Sequence, residues 1–99
     1  MNIIDELKAL PFTLNAEEDD SGVCVQVNEF PDAFDEEATY DETLKTLAHS
    51  LKDWGAALGD RIDSWKVGRE NELPYLLKIL VSSESELLEC LRNSTCVNS

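Results

Sequence analysis

Carboxylates are the residues numerous enough to do chemistry in this chain. Residues 1–44 carry thirteen of them (Asp5, Glu6, Glu17, Glu18, Asp19, Asp20, Glu29, Asp32, Asp35, Glu36, Glu37, Asp41, Glu42) against one base, Lys8. Residues 45–99 carry eight acids against seven bases, so the formal net charge of −13 divides as −12 and −1. Such groups can hold catalytic metals, bind a cation, or recognise a basic partner. Two-metal hydrolysis needs carboxylates converging from strands, whereas Asp19, Asp20, Asp32 and Asp35 fall in expected turns. The run Glu17-Glu18-Asp19-Asp20 lacks the alternation and closing glutamate of an EF-hand loop. His49 has no partner ligand or nucleophile in evident spacing, and there is no Cys-x-x-Cys pair or Gly-rich phosphate loop. The chain therefore reads as a non-enzyme with no cofactor and no metal site.

Recognition is what remains. A field this one-sided steers association with a positively charged protein and repels nucleic acid and anionic membrane. The densest acids outside the first hairpin, Glu29, Asp32, Asp35, Glu36 and Glu37, are the candidates to pair with Lys and Arg of a partner. Phe34 lies among them and is the candidate apolar anchor, since interfaces centre on buried aromatics. A merely solubilising acidic surface is the alternative.

These residues need elements to place them. At 99 residues the chain is expected to be one domain with one modest core. Ile3, Ile4, Leu7 and Leu10 predict a short amphipathic helix within residues 1–10, stopped before Pro11. Phe12, Leu14 and Ala16 alternate with polar residues, as do Val23, Val25 and Val27, which predicts two strands joined through a Glu17–Gly22 turn into an antiparallel hairpin. Pro31 is expected to end or edge the second strand, with an acidic turn on Phe30-Pro31-Asp32 and a third short strand within Asp32–Ala38. Thr39 and Glu42 form a capping box ahead of a long helix whose buried face is Leu44, Leu47, Ala48, Leu51 and Leu58, with Gly59 as its C-cap.

Residues 60–73 are ambiguous between a continued helix and a loop fixed by Ile62 and Trp65. Tyr75–Val81, apolar on both faces except Lys78, predicts a central strand, and Ser83–Glu86 opens a short helix within 74–92. Residues 93–99 are expected to fray. The expected fold class is α+β: a small antiparallel or mixed sheet of three to four strands, one long helix packed on it, and short terminal helices. Trp54 is expected at the core margin, and an edge-to-edge homodimer through Tyr75–Val81 is left open. Cys24, Cys90 and Cys96, odd in number and irregular in spacing, fit a reducing compartment, and no apolar run is long enough to span a bilayer. A soluble, cytoplasmic protein is expected.

The stretch Val23–Leu58 resembles the HicB-like antitoxin family. Phe30-Pro31-Asp32 is similar to that family's Pro-Asp turn, and Thr39-Tyr40-Asp41-Glu42-Thr43-Leu44 to its helix-opening motif. The resemblance covers roughly Phe12 to Leu58 and, more loosely, Tyr75 to Val81. It implies a β-β-β-α-β order, a partial ribonuclease-H-like fold, and binding to a small basic ribonuclease toxin. Ala33-Phe34-Asp35-Glu36 replaces the family's Leu-Pro-Gly-Cys loop, and no complete helix-turn-helix or ribbon-helix-helix is evident, so direct DNA binding is not expected. A second function fits the same acidity: mimicry of nucleic acid toward a host defence nuclease or CRISPR-type complex.

Overall fold

A computed structural model describes residues 2–59 and 70–98. It contains α1 (Ile3–Lys8), β1 (Thr13–Asp19), β2 (Gly22–Val27), β3 (Phe30–Glu37), α2 (Tyr40–Gly59), a 3-10 turn (Glu70–Glu72), α3 (Leu73–Val81), α4 (Glu84–Arg92) and β4 (Thr95–Asn98). The four strands form one mixed sheet in the order β3-β2-β1-β4, with β1–β2 and β2–β3 antiparallel and β1–β4 parallel. This is the α+β class expected from the sequence, with one long helix among shorter ones. Among the described residues no helix is long and apolar enough to cross a membrane.

Two tight turns set the sheet register. Asp19 pairs with Gly22, leaving Asp20-Ser21 as a two-residue loop. Asp19 Oδ1 closes it by accepting from the Ser21 amide at 2.8 Å and the Ser21 hydroxyl at 2.6 Å. Gly22 is required there, because its φ is +144° and an added Cβ would sit 2.4 Å from the Glu37 carbonyl oxygen. Asn28-Glu29 is the second loop, since Val27 pairs with Phe30. The acidic turn expected at Phe30-Pro31-Asp32 is therefore the start of β3. Pro31 fits there because β3 is an edge strand, with a bulge between the Val27–Phe30 pair and the Gln26–Phe34 pair.

The core lies between the sheet and the helices. Leu14, Val23, Val25, Val27 and Phe30 from the strands meet Leu44, Leu47, Ala48 and Leu51 of α2, with Leu76, Ile79, Leu87 and Leu91 of α3 and α4 completing the layer. Each buried Leu contributes about 2 kcal/mol of apolar transfer. The Trp54 ring meets Phe30 edge-on at 4.9 Å and is half-buried at the core margin, as its position after Leu51 implied. Gly55 lets α3 approach α2, since a Cβ would lie 2.6 Å from Ile79 Cγ2.

Two sequence expectations are overturned. Tyr75–Val81 is not a strand but most of α3, with a proline at its N-terminal turn. It packs between α1 and α2 through the buried Leu76 and Ile79, with Leu80 exposed, and its Lys78 is buried with Nζ donating to the Lys8 carbonyl. The homodimer contact through that strand falls with it. Within the tail expected to fray, Thr95–Asn98 forms β4, pairing with Thr13–Ala16. A strand does follow the long helix, but among the described residues α3 and α4 come between them. The helix at the N-terminus and the capping box at Ser83–Glu86 are present, the latter with both reciprocal bonds. Ile62, Trp65 and Gly68 lie outside the described residues, and so does the side chain of Leu58.

Candidate functional site

The strand register assembles what the sequence keeps apart. Cys24 on β2 has Glu17 of β1 as its partner on one side and Glu36 of β3 on the other. Val23 is flanked in the same way by Glu18 and Glu37, and Val25 by Ala16 and Asp35. Adjacent strands run about 4.8 Å apart, so the acids of β1 and β3 flank β2 at about 10 Å from one another, beside Asp19 at the end of β1 and Asp20 of the turn. Side chains alternate between faces, and paired residues share one. Glu17, Glu36 and Phe34 therefore stand with Cys24 and Gln26 on the face turned away from α2. Asp35 and Glu37 stand with the buried valines on the helical face.

The field of this cluster registers at its centre. Burial pushes the Cys24 thiol up, and the charges of Glu36, Glu17, Asp19 and Asp35 push it further in the same direction. Asp19 itself is held below the usual carboxylate range by its hydrogen bonds to the Ser21 hydroxyl and amide. The five described Lys and Arg side chains make their contacts on the helical side. Lys8 meets Glu86 at 3.0 Å, Arg92 grips Asp41 through two bonds of 3.0 and 3.1 Å, and Lys45 lies 3.6 Å from Asp41. Lys52 donates to the carbonyls of Ile79 and Ser82, and Lys78 to that of Lys8.

The six residues singled out from sequence have different fates. Glu29 sits at the far end of the sheet, where its Oε1 accepts from the Thr13 amide at 2.6 Å, so its carboxylate is a structural tie between β1 and the second turn. Phe34 is 60% exposed and lines a shallow depression of about 280 Å³ with Asn15, Glu17, Cys24 and Gln26. Glu36 is exposed beside it. Asp35 is half-buried, and its Oδ2 is fully buried with no hydrogen-bond partner. Glu37 is half-buried against α2, with Thr46 Oγ1 3.4 Å from its carboxylate. Asp32 falls in β3, and its side chain lies outside the described residues. Glu17, Glu18 and Asp19 were read as a turn, yet they belong to β1 and face the acids of β3 across β2. The two-residue spacing before Gly22 was the signal that places them on a strand.

Thr43 locks this end in place. It is fully buried in the first turns of α2 and accepts from the Glu37 amide at 3.1 Å. The same Oγ1 lies 2.8 Å from the Val23 carbonyl and 2.9 Å from that of Thr39. The hydroxyl thus fills the gap in the β2–β3 ladder where the strands part. Thr39 Oγ1 in turn accepts from the Glu42 amide at 3.2 Å, half of the capping box read from sequence.

A cation site would require several ligands converging on one point. Among the described residues no group of three or more His, Cys, Asp or Glu side chains does so. His49, on the helical side, meets Glu84 at 3.0 Å and Asp53 at 3.3 Å, both of them surface ion-pair contacts. The three cysteines are free thiols, half-buried at Cys24 and Cys90 and exposed at Cys96. Burial and a hydrogen bond with Cys96 push the Tyr40 hydroxyl up to about 12, so it remains a neutral group. What the arrangement can do is present carboxylates and one aromatic ring to a cationic surface.

No protein-family model matches the chain, nor does any curated protein sequence. Among solved structures, the chain is similar to a protein from Syntrophomonas wolfei subsp. wolfei described as the antitoxin part of a proposed toxin/antitoxin system. The TM-score is 0.81 at 19% identity, over 98% of this chain and 70% of that one. At that identity the two share a fold.

Proposed function

We propose that this chain is a non-enzymatic inhibitor that covers the basic surface of a nucleic-acid-handling protein, most directly as a HicB-like antitoxin neutralising a small ribonuclease. The observation that carries the reading is that Glu17 of β1 and Glu36 of β3 flank Cys24 on the outer face, while Glu18 and Glu37 flank Val23 on the other face of the same sheet end. A ribonuclease binds RNA phosphates with Lys and Arg, and a fixed comb of carboxylates competes for those groups. The similarity to a protein described as an antitoxin supports the same reading. So does the helix-opening motif Thr39–Leu44, whose Thr39 accepts from the Glu42 amide.

The test is co-expression with a small basic protein encoded beside this gene, read as rescue from growth arrest and as loss of ribonuclease activity in vitro. Rescue is expected, with complex formation weakened at high salt. The double variant Glu17→Lys/Glu36→Lys, its fold checked by circular dichroism, should lose rescue. Full rescue by a folded charge-reversed variant would sink the acidic-surface reading. A salt-released complex with a large defence nuclease would redirect the function to nucleic-acid mimicry.

A further inference from the structure

We infer that the free edge of β3 is the docking strand of this protein, and that its occupant is an extended, Lys/Arg-bearing segment of the partner that joins the sheet as a fifth strand. The inference rests on the basic-partner reading and adds to it a mode of binding. Of the two sheet edges, β4 is four residues long and β3 is eight. Among the described residues, no strand or helix pairs with the outer side of β3.

The ladder shows which groups are on offer. In an antiparallel pair, residues alternate between bonding to their neighbour and pointing away from it. Glu37 and Asp35 bond toward β2, as the Thr43 hydroxyl bridging the Glu37 amide and the Val23 carbonyl marks. Phe34 and Glu36 therefore turn their N–H and C=O groups to the open edge. The same two residues carry the exposed ring and an exposed carboxylate on the outer face. A basic side chain opposite Glu36 would meet its carboxylate. One on the inner side, opposite Asp35, would supply the donor that Asp35 Oδ2 lacks. Main-chain bonds give such strand addition its affinity, and alternating side chains give it selectivity.

Charge decides the occupant. A second copy would bring its own Asp35, Glu36 and Glu37 against these, and like charges directly opposite are unfavourable. Inward-pointing acids are a means by which edge strands reject indiscriminate pairing. A basic strand meets no such barrier.

The experiment is an amide NMR titration of the labelled full chain with an eight-residue peptide of alternating Lys and Val, blocked at both ends. A Glu/Val peptide is the control. Saturable shifts and slowed exchange are expected at the Phe34 and Glu36 amides, with the basic peptide only. Glu36→Pro removes an outward amide without touching the bonds to β2, and an edge strand tolerates proline. It should abolish binding, while Glu36→Ala weakens it. Phe34→Thr keeps strand propensity and should cost about tenfold in affinity. It stands as the second variant if Glu36→Pro does not fold. No binding, shifts confined to other amides, equal binding of the acidic peptide, or concentration-dependent protection of the same amides without peptide would each overturn the proposal. Toxin neutralisation with no edge binding would leave the antitoxin reading standing and remove this one. Edge binding with no neutralisation would do the reverse.

Discussion

The helical side and the acidic end of the sheet use charge in opposite ways. Among the helices, opposite charges are spent on joining elements: Arg92 ties α4 to the first turn of α2, and Lys8 ties α1 to α4. At the sheet end, acids of β1 and β3 stand on either side of the same β2 residues. The first arrangement adds stability, if modestly at the surface, and the second subtracts it. On the function proposed above, the contrast separates a half that holds the fold together from a half that meets the partner.

The largest way to break the contrast is to damage what both halves share. Leu47→Ala should lower stability by about 2–5 kcal/mol in urea unfolding, because the side chain is fully buried between sheet and helices. Thr43→Val comes next, at about 1–3 kcal/mol, since it leaves the Glu37 amide facing an apolar group. Its distinguishing sign is faster hydrogen exchange at Glu37 with the helices unaffected. Neutralising the strand end should sharpen the contrast in the other direction. Glu17→Gln/Glu36→Gln is expected to gain on the order of 0.5 kcal/mol while losing partner affinity. A loss of stability would mean that those acids hold the fold.

Two pH effects are smaller still. The Arg92 bond holds the Asp41 carboxyl below its usual range. Its contribution is therefore complete above the ordinary aspartate value and is lost as pH falls through the lowered folded one. Asp41→Asn should flatten the acid limb of stability against pH. His49 shifts the opposite way, raised by Glu84 and then Asp53. Its contribution is present below the ordinary value of 6.5 and is lost as pH rises through the higher folded one. His49→Gln should remove that slope, as followed by thermal melting across neutral pH.

Much of the fold could be read in the chain because local rules and tertiary structure agree. Val23, Val25 and Val27 alternate as a half-buried strand should, and the caps at Thr39 and Ser83 mark real helix starts. β3 was harder to read because its pattern is inverted, with Phe34 outside and Asp35 inside. Tyr75–Val81 was misread because a short apolar run suits a buried strand and a wedged helix alike. Pro74 in the first turn of α3 was the available cue. β4 had no local signature, since its pairing depends on a strand far away in sequence. The site was half legible. Its composition was plain, but the partnership of β1 acids with β3 acids exists only in the register.

That long-range pairing also bears on how the protein is made. The β1–β3 meander and α2 are neighbours in sequence and can assemble as the nascent chain emerges, whereas β4 closes on β1 only after the intervening α3 and α4 have been synthesised. Until then the backbone of Thr13–Ala16 is an uncovered template. A protease clipping a few residues before Thr95 would recreate that condition in a finished molecule, turning a shielded flank into a sticky one and favouring clumping over simple unfolding.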